Sequence, residues 1–135
     1  MKKIIFVLTI FLLSLVLVSC KEKPNKISNV QEFESLFEGA IKYDIRIEEE
    51  CEDGHIKGFV CMGDNDNDEI VKNISLVSLS KDQNIVLIGE EKRVLEIFDA
   101  LSKKGYKSMY YFDGGYQAYA QAKGEGFVPE TGCGC

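Results

Sequence analysis

The segment from Asn84 to Lys104 constrains the fold more than any other part of the chain. It opens with four consecutive apolar residues, Ile85 to Ile88, which are bounded by polar residues and followed by Gly89. A short apolar run of this kind predicts a strand buried on both faces, as in a parallel sheet. The apolar side chains that follow recur at helical spacing, at Val94, Ile97, Phe98 and Leu101. They predict an amphipathic helix that ends at Gly105.

The loop between this strand and this helix is the expected position of a functional site. In a parallel sheet, loops at the carboxyl ends of the strands face the crevice where ligands bind, and their N–H groups can hold an anion. The loop residues are Gly89, Glu90, Glu91, Lys92 and Arg93. None of these side chains is a nucleophile, and any hypothesis for function has to accommodate that.

Strands and helices are predicted to alternate along the rest of the chain. Predicted strands cover Ala40 to Ile45, His55 to Met62 and Lys107 to Phe112, and predicted helices begin at Val30, Glu69 and Tyr116. The charged segment Glu48 to Asp53 is compatible with a loop or a short helix. Alternation of this kind predicts an α/β fold with a parallel sheet covered by helices on both faces and joined by right-handed crossovers.

The amino terminus has the pattern of a secretory signal. Two lysines precede an apolar run from Ile4 to Val18, which ends in Leu17-Val18-Ser19-Cys20. That ending resembles the bacterial lipobox, in which the cysteine is acylated and becomes the first residue of the mature protein. A transmembrane anchor is the alternative, but the run is shorter than the roughly 18 to 20 residues that span a bilayer. We therefore expect a signal peptide at residues 1–19, lipidation at Cys20, and a tether at residues 20–26.

The charge of the mature chain argues against two kinds of binding. Removing Lys2 and Lys3 with the signal leaves 14 basic and 22 acidic side chains, a formal charge of −8. Such a surface argues against binding to nucleic acid and against electrostatic binding to anionic lipid. Lys21, Lys23 and Lys26 lie close to the anchor in sequence, where they could touch headgroups. We expect a monomer that contacts a membrane through its lipid anchor, on the extracytoplasmic side.

Four cysteines follow Cys20, and they permit two disulfides of undetermined pairing. Cys51 is predicted to be a small packed residue, and Cys61 is the one core cysteine placed to reach the loop after Ile88. Cys133 and Cys135 end the tail, residues 127–135, as Cys-Gly-Cys. Two thiols at this spacing could form a strained disulfide, bind a soft metal or accept sulfur. They could equally pair with Cys51 and Cys61.

The acidic loop after Met62 partly matches a calcium-binding pattern. Asp64, Asp66 and Asp68 occupy the first three ligand positions of an EF-hand loop, but Glu69 and Ser75 replace the glycine and the bidentate glutamate. We interpret this segment as a solvated loop and predict no metal and no cofactor.

Four short motifs in order give the chain a resemblance to the rhodanese domain family. They are Asp44-Ile45-Arg46, then Gly54-His55-Ile56-Lys57-Gly58, then the strand Ile85 to Ile88, and last Lys104-Gly105-Tyr106 with Phe112-Asp113-Gly114-Gly115-Tyr116. Each motif alone is weak, and the four together at the family's spacing are specific. The resemblance covers residues 27–126 and implies a three-layer fold with a five-stranded parallel sheet.

The resemblance also implies an activity, the transfer of sulfane sulfur, for which this chain lacks a central residue. In the family a loop cysteine attacks a donor such as thiosulfate and becomes a persulfide. Gly89 occupies the position of that cysteine here, and Arg93 is the expected counterpart of the loop arginine, in a loop shorter by one residue. Glu90 and Glu91 add charge of the wrong sign for an anionic donor.

The remaining motif residues are expected to be structural. The resemblance implies that His55 ties its loop to Asp44 by a hydrogen bond, and that Arg46, Gly54, Gly58 and the turn at Asp113, Gly114 and Gly115 shape the fold. The leading hypothesis is a membrane-anchored module for binding or redox association, without standard sulfurtransferase activity. The alternative is a sulfur or disulfide carrier that uses Cys133 and Cys135.

Overall fold

The computed structural model of the protein describes residues 23–132, which form a single parallel sheet with helices on both faces. The five strands are β1 (Asn25–Ile27), β2 (Ile41–Asp44), β3 (Val60–Cys61), β4 (Ile85–Ile88) and β5 (Met109–Phe112). The helices are α1 (Val30–Ser35), α2 (Glu48–Asp53), α3 (Asn67–Val77), α4 (Glu91–Lys103) and α5 (Gly115–Lys123), followed by a 3₁₀ turn at Gly124–Gly126. The predicted α/β fold class and the five-stranded parallel sheet are confirmed.

The strand order is β1-β5-β4-β2-β3, so the central strand is the one that the apolar run predicted. All four residues of β4 are buried, because Ile85 and Leu87 face one hydrophobic cluster while Val86 and Ile88 face the other. Helices α3 and α4 cover the first face, and α1 and α5 cover the second. Burying each such aliphatic side chain stabilises the fold by about 1.5–3 kcal/mol, which makes this strand the centre of the core.

Two boundaries differ from the prediction at the ends of the domain. Asn25 and Lys26 were expected in a tether, but they form β1, which pairs with β5. The edge position explains the error, because two of the three residues in β1 are exposed and only Ile27 carries an apolar signal. At the other end the tail packs on the domain: His55 and Glu130 exchange two backbone hydrogen bonds of 2.9 Å, and the Gly132 N–H donates to Glu52 O.

The strand predicted from His55 to Met62 is much shorter than expected. Only Val60 and Cys61 pair with β2, while Phe59 N–H donates to Ile56 O in a turn. The apolar residues of this segment, Ile56 and Phe59, are buried for packing rather than for strand pairing. The segment Glu48 to Asp53 is a helix, as one of its two predicted alternatives allowed.

Within residues 23–132, no helix combines the length and the apolar character needed to cross a bilayer. The predicted signal peptide, the lipidation site Cys20 and the tail cysteines Cys133 and Cys135 lie outside the described residues.

Candidate functional site

The crevice at the carboxyl ends of the strands is present, with a volume of about 390 Å³. Its lining comes from the residues after β2 (Ile45–Ile47), the loop after β4 (Gly89 and Glu90) and the turn into α5 (Gly114–Gln117), together with Glu50 of α2 and Arg93 of α4. The loop after β4 is very short, because α4 begins at Glu91. The crevice therefore lies where a ligand is expected to bind. The loop after β4 supplies only Gly89 and Glu90 to its lining.

Gly89 leaves no space for a side chain at the position where the sequence indicated a missing nucleophile. A Cβ atom built on Gly89 would lie 2.5 Å from Ile45 Cγ1 and 3.3 Å from Ile45 Cδ1. Carbon atoms normally pack no closer than about 3.5 Å. Ile45 is itself buried at 2 % exposure and held by a hydrogen bond from its N–H to Ile88 O. The loop therefore lacks a nucleophile, and the side chain of Ile45 fills the space that one would need.

Arg93 lines the crevice, but its guanidinium donates to a set of backbone carbonyls. Its Nη1 donates to Ile45 O at 2.8 Å and to Gly63 O at 3.0 Å, and its Nη2 donates to Asn65 O. Its Nε donates to Asn67 Oδ1 at 2.8 Å. With every guanidinium nitrogen engaged, Arg93 joins α4 to the loop after β3. Arg93 lies in the crevice lining, at the position expected of the loop arginine, but protein oxygens accept from each of its guanidinium nitrogens.

The carboxylates of the loop divide between two environments. Glu91 turns to the edge of the sheet, where Lys26 Nζ lies 2.7 Å away and Tyr111 Oη donates at 3.1 Å. The hydrogen bond from Lys26, followed by that from Tyr111, lowers the pKa of Glu91 below its usual value. Glu90 remains in the crevice lining, with Glu50 from α2. Lys92 is exposed on α4. The crevice keeps two carboxylates, which disfavour an anionic ligand.

Arg46 closes one side of the crevice through a buried ion pair with Asp44. Its Nη2 lies 2.7 Å from Asp44 Oδ2, and Nε contacts both oxygens of this fully buried carboxylate at 3.1 Å. The same Nη2 donates to Gly54 O at 2.7 Å, and the guanidinium lies 3.7 Å from the centre of the Tyr116 ring. Burial raises the pKa of Tyr116. The two strand-end motifs, Asp44 to Arg46 and Gly54 to Gly58, are thereby joined.

His55 is fully buried but does not hydrogen bond to Asp44, so that prediction was wrong. Arg46 already occupies both Asp44 oxygens, and the imidazole Nδ1 instead contacts Cys51 O at 2.8 Å. Nε2 lies 3.4 Å from Glu130 Oε2 and makes no hydrogen bond to any described residue. Glu130 Oε2 also accepts from the Gly58 N–H. Glu130 of the tail therefore lies opposite the His55 ring. No feature of the sequence indicated this contact.

Cys51 and Cys61 form a disulfide, which joins α2 to β3. Cys51 is fully buried, as predicted for a packed residue, but Cys61 is not a free thiol, and β2 separates its strand from β4. The expectation that Cys61 reaches the loop after Ile88 was therefore wrong. His55 Nδ1 lies 3.9 Å from Cys61 Sγ, so these three residues bring metal-ligand atoms within 4.8 Å of one another. With the sulfurs bonded to each other, neither is a thiolate that could bind a metal.

The remaining motif residues have mainly structural contacts. Gly114 and Gly115 adopt positive φ angles of 82° and 71° in the turn before α5, and Asp113 N–H donates to Ile27 O. In the acidic loop, Asp66 Oδ1 accepts from Glu69 N–H as the cap of α3, and Asp64 Oδ1 accepts from Glu48 N–H. The Arg93 guanidinium contacts the same loop at Asn65 O. A cation there disfavours calcium.

A family model identifies the family of the chain, and solved structures share its fold. The model of the rhodanese-like domain family matches residues 29–122. Among solved structures, a crystal structure of the Alr3790 protein from Anabaena sp. aligns with a TM-score of 0.59 at 22% identity, covering 79% of this chain and 82% of that one. The Rhodanese_3 like domain of the same protein aligns with a TM-score of 0.52 at 26% identity, covering 63% and 93%. Reduced Bacillus anthracis CoADR-RHD aligns with 0.55 at 23% identity, covering 75% and 17%. A comparison with curated protein sequences gave no match.

Proposed function

The chain belongs to the rhodanese-like domain family, and from that premise we propose that it is an extracytoplasmic lipoprotein whose domain binds a partner or serves a redox role without transferring sulfur at the family's loop. The observation that carries this proposal is the packing of Ile45 against Gly89. Persulfide formation in the loop requires a thiolate at a position where even a Cβ atom would overlap its neighbour. Loss of the nucleophile and loss of the space for it support the same conclusion.

The charges around the crevice support binding of a neutral or cationic group rather than a sulfur-donating anion. Glu50 and Glu90 line the cavity, while the guanidinium of Arg93 is taken up by carbonyls. Arg46 also lines it, but its charge is balanced by Asp44 at 2.7 Å. A negative lining raises the energy of an anion such as thiosulfate in the crevice.

The redox part of the proposal rests on the Cys51–Cys61 disulfide. Disulfides persist in oxidising compartments, which agrees with export by the signal at residues 1–19. The bond lies beside the buried His55 ring and beside the docked tail, whose Gly132 N–H donates to Glu52 O. Reduction of this bond would therefore alter the region where the tail attaches.

A second candidate function uses the tail thiols as a sulfur or disulfide carrier. The docking of Gly132 on Glu52 favours it, because Cys133 is the next residue in the chain and Glu52 is the neighbour of Cys51. In such an exchange a Cys133 thiolate would attack one sulfur of the Cys51–Cys61 bond, form a new S–S bond and release the other cysteine as a thiolate. No outside oxidant is needed for that step.

One set of measurements on the full lipidated protein distinguishes these functions. We expect thiocyanate formation from thiosulfate and cyanide at background, and intact-mass analysis should show no persulfide after incubation with thiosulfate. Uptake of sulfane sulfur that Cys133→Ser/Cys135→Ser abolishes would favour the carrier. Rapid turnover that survives this double substitution would contradict both candidates, since it would require another nucleophile.

A further inference from the structure

The edge of the sheet where the strands begin carries an exposed apolar patch. Among residues 23–132, six large hydrophobic side chains are exposed, and three of them lie at or just after the end of α3: Leu76 at 74%, Val77 at 49% and Leu79 at 90%. The turn that presents Leu79 is ordered, because its N–H donates to Gln83 Oε1 at 2.8 Å and Ser78 N–H donates to Ile74 O. These three residues are not needed for the core-facing side of α3, because Ile70, Val71 and Ile74 already face the core.

Lysines surround this patch because of the topology. Helices α3 and α4 each connect one parallel strand to the next, so both run against the strands and end at the amino edge of the sheet. Exposed lysines at this edge come from three segments: Lys81 before β4, Lys103 and Lys104 at the end of α4, and Lys107 before β5. Lys104 and Leu76 line the same groove, and Lys107 N–H donates to Lys81 O at 3.3 Å. The apolar and basic residues therefore form one surface.

Acidic side chains are concentrated at the opposite edge. Those at the carboxyl ends of the strands include Glu48, Glu49, Glu50, Asp64, Asp66, Asp68, Glu90, Glu91 and Asp113. Acidic side chains at the edge that carries the lysines include Glu38, Asp82 and Asp99, and Asp99 Oδ2 lies 2.9 Å from Lys103 Nζ. A chain with a formal charge of −6 thus presents a basic edge and an acidic edge.

The point where the chain enters the domain lies at the basic edge. β1 begins at Asn25, which pairs with Tyr110 near the start of β5, and Asn25 Nδ2 donates to Met109 O at 3.2 Å. Asn25 is the fifth residue after Cys20, and five fully extended residues span at most about 18 Å. An acyl chain on Cys20 would therefore hold this edge within about 18 Å of the lipid surface.

We propose that the basic edge of the domain, Leu76, Val77 and Leu79 with Lys81, Lys104 and Lys107, docks on an anionic lipid surface. This inference rests on the lipid anchor of the proposed function and adds an orientation to it. The apolar side chains enter the headgroup boundary and the lysines contact anionic headgroups. The crevice and its acidic lining then face away from the membrane, open to a partner on the extracytoplasmic side.

A single-tryptophan experiment tests the docking, because the chain contains no tryptophan. The full lipidated protein with Leu79→Trp is incorporated in phosphatidylglycerol-containing vesicles whose lipids carry brominated acyl chains, and Ile47→Trp at the acidic edge is the matched control. Both sites are exposed, at 90% and 57%. We expect blue-shifted emission and quenching for Leu79→Trp but neither for Ile47→Trp. Adding Lys107→Glu to the first reporter should reduce its quenching, whereas adding Lys92→Glu, an exposed lysine in the first turn of α4, should not.

The results separate failure of the docking from failure of the anchor. Equal quenching of the two reporters in protein that intact-mass analysis shows to be acylated would overturn the docking alone. Protein without an acyl group on Cys20 would overturn the anchor and the docking with it. A blue shift of Leu79→Trp that grows with protein concentration in the absence of vesicles would assign the patch to a second copy of the chain, and would also overturn the proposal.

Discussion

At the residue scale, Gly89 and Ile45 together account for the missing loop nucleophile: one has no side chain, and the other fills the space. A glycine at the first loop position leaves the sheet intact, since β4 needs only its four apolar side chains. Once no side chain is required there, the isoleucine that follows β2, Ile45, can fill the space, with Cγ1 at 2.5 Å from the position that a Cβ would take. We therefore expect that a single substitution at Gly89 does not recover the family's chemistry.

The first prediction is that Gly89→Cys restores no measurable thiosulfate sulfurtransferase activity and destabilises the fold. Overpacking in a well-packed core costs about 1–3 kcal/mol, here because the new Cβ overlaps Ile45. Urea denaturation measures the loss, and Gly126→Cys, where no atom lies within 4 Å of an added Cβ, is the control. Replacing Ile45 as well, in Gly89→Cys/Ile45→Ala, should relieve the overlap but leave the activity at background. Activity in the single variant would show that the loop adapts.

The second prediction concerns Arg93, whose planar guanidinium contacts three carbonyls and one amide oxygen. Lysine has a single ammonium and cannot reach all four acceptors, and each half-buried acceptor left without a donor costs about 1–3 kcal/mol. We expect Arg93→Lys to lower the free energy of unfolding by about 3 kcal/mol in total. Lys92→Ala, at an exposed neighbouring position, should change it little, and a similarly small effect at Arg93 would argue that the acceptors are solvated.

At the level of elements, α2, β3 and the tail form one unit that surrounds His55. The disulfide joins α2 to β3, His55 pairs with Glu130, and Gly132 attaches to the end of α2. The tail adds an antiparallel bridge to an otherwise parallel arrangement. These contacts make the attachment of the tail dependent on the position of α2, and hence on the disulfide.

The third prediction is that Cys51→Ala/Cys61→Ala loosens the tail as well as the domain. A disulfide between cysteines ten residues apart is worth about 3 kcal/mol by the loop-entropy relation. Hydrogen exchange should become faster at the amides of Glu130 and Gly132, whose donors bond to His55 O and Glu52 O. The amide of Asp113, which donates to Ile27 O across the sheet, provides the internal reference. Unchanged tail exchange would show that the tail docks independently of the disulfide.

The fourth prediction concerns the pair of helices α1 and α5, which are joined at Glu34. Lys123 Nζ at 2.8 Å and Tyr119 Oη at 2.6 Å both donate to Glu34 Oε1, and these hydrogen bonds lower the pKa of Glu34 below its ordinary 4.5. A carboxyl group whose pKa is lower in the folded than in the unfolded protein stabilises the fold at pH values above its unfolded-state pKa. This stabilisation is lost as the pH falls through its folded-state pKa.

Glu34→Gln should therefore be less stable than the natural protein near neutral pH, and the difference should vanish well below pH 4.5. Because both side chains of the ion pair are about one-third exposed, we expect at most about 1 kcal/mol. Urea denaturation across this pH range measures it, and Glu38→Gln, an exposed position beyond α1, is the control. A difference that persists in acid would assign the effect to packing rather than to charge.

At the scale of the whole molecule, charge is segregated between the two edges of the sheet. The acidic edge contains the crevice, and the basic edge contains the entry of the chain at β1. The net charge alone argued against contact with anionic lipid, but the topology concentrates Lys81, Lys104 and Lys107 on one surface. Local charge rather than net charge decides contact at short range, because screening limits the effect of distant groups to about 10 Å.

The fifth prediction is that Cys20→Ala releases the protein from the membrane fraction. Without the acyl chains, the basic edge alone provides too few contacts for stable attachment, since stable anchoring takes more than one signal. Membrane fractionation with intact-mass analysis of the mature chain measures both the location and the modification. Cys51→Ala should remain in the membrane fraction. A Cys20→Ala chain that stays membrane-bound would show that the apolar run of residues 4–18 itself acts as the anchor.

Local sequence pattern was enough to predict an α/β fold with a parallel sheet, and the family resemblance added the number of strands. The apolar run of β4, the helical spacing in α4 and the alternation of elements each act over a few residues, and burial on both faces follows directly from them. The absence of a loop nucleophile was equally readable at Gly89. The two-residue β3 and the edge strand β1 were not, because few of their residues carry an apolar signal.

Only the tertiary structure decided how distant polar groups meet. Arg46 rather than His55 holds Asp44, and Glu130 faces His55 across 75 residues of chain. Cys51 pairs with Cys61, and the Arg93 guanidinium donates to backbone carbonyls of other segments. Such contacts depend on which chain segments the folded backbone brings within about 3 Å. Side-chain hydrogen bonds between distant segments follow no regular spacing along the sequence. For the same reason, four lysines spread over 27 positions became one surface only when α3 and α4 ended at the same edge of the sheet.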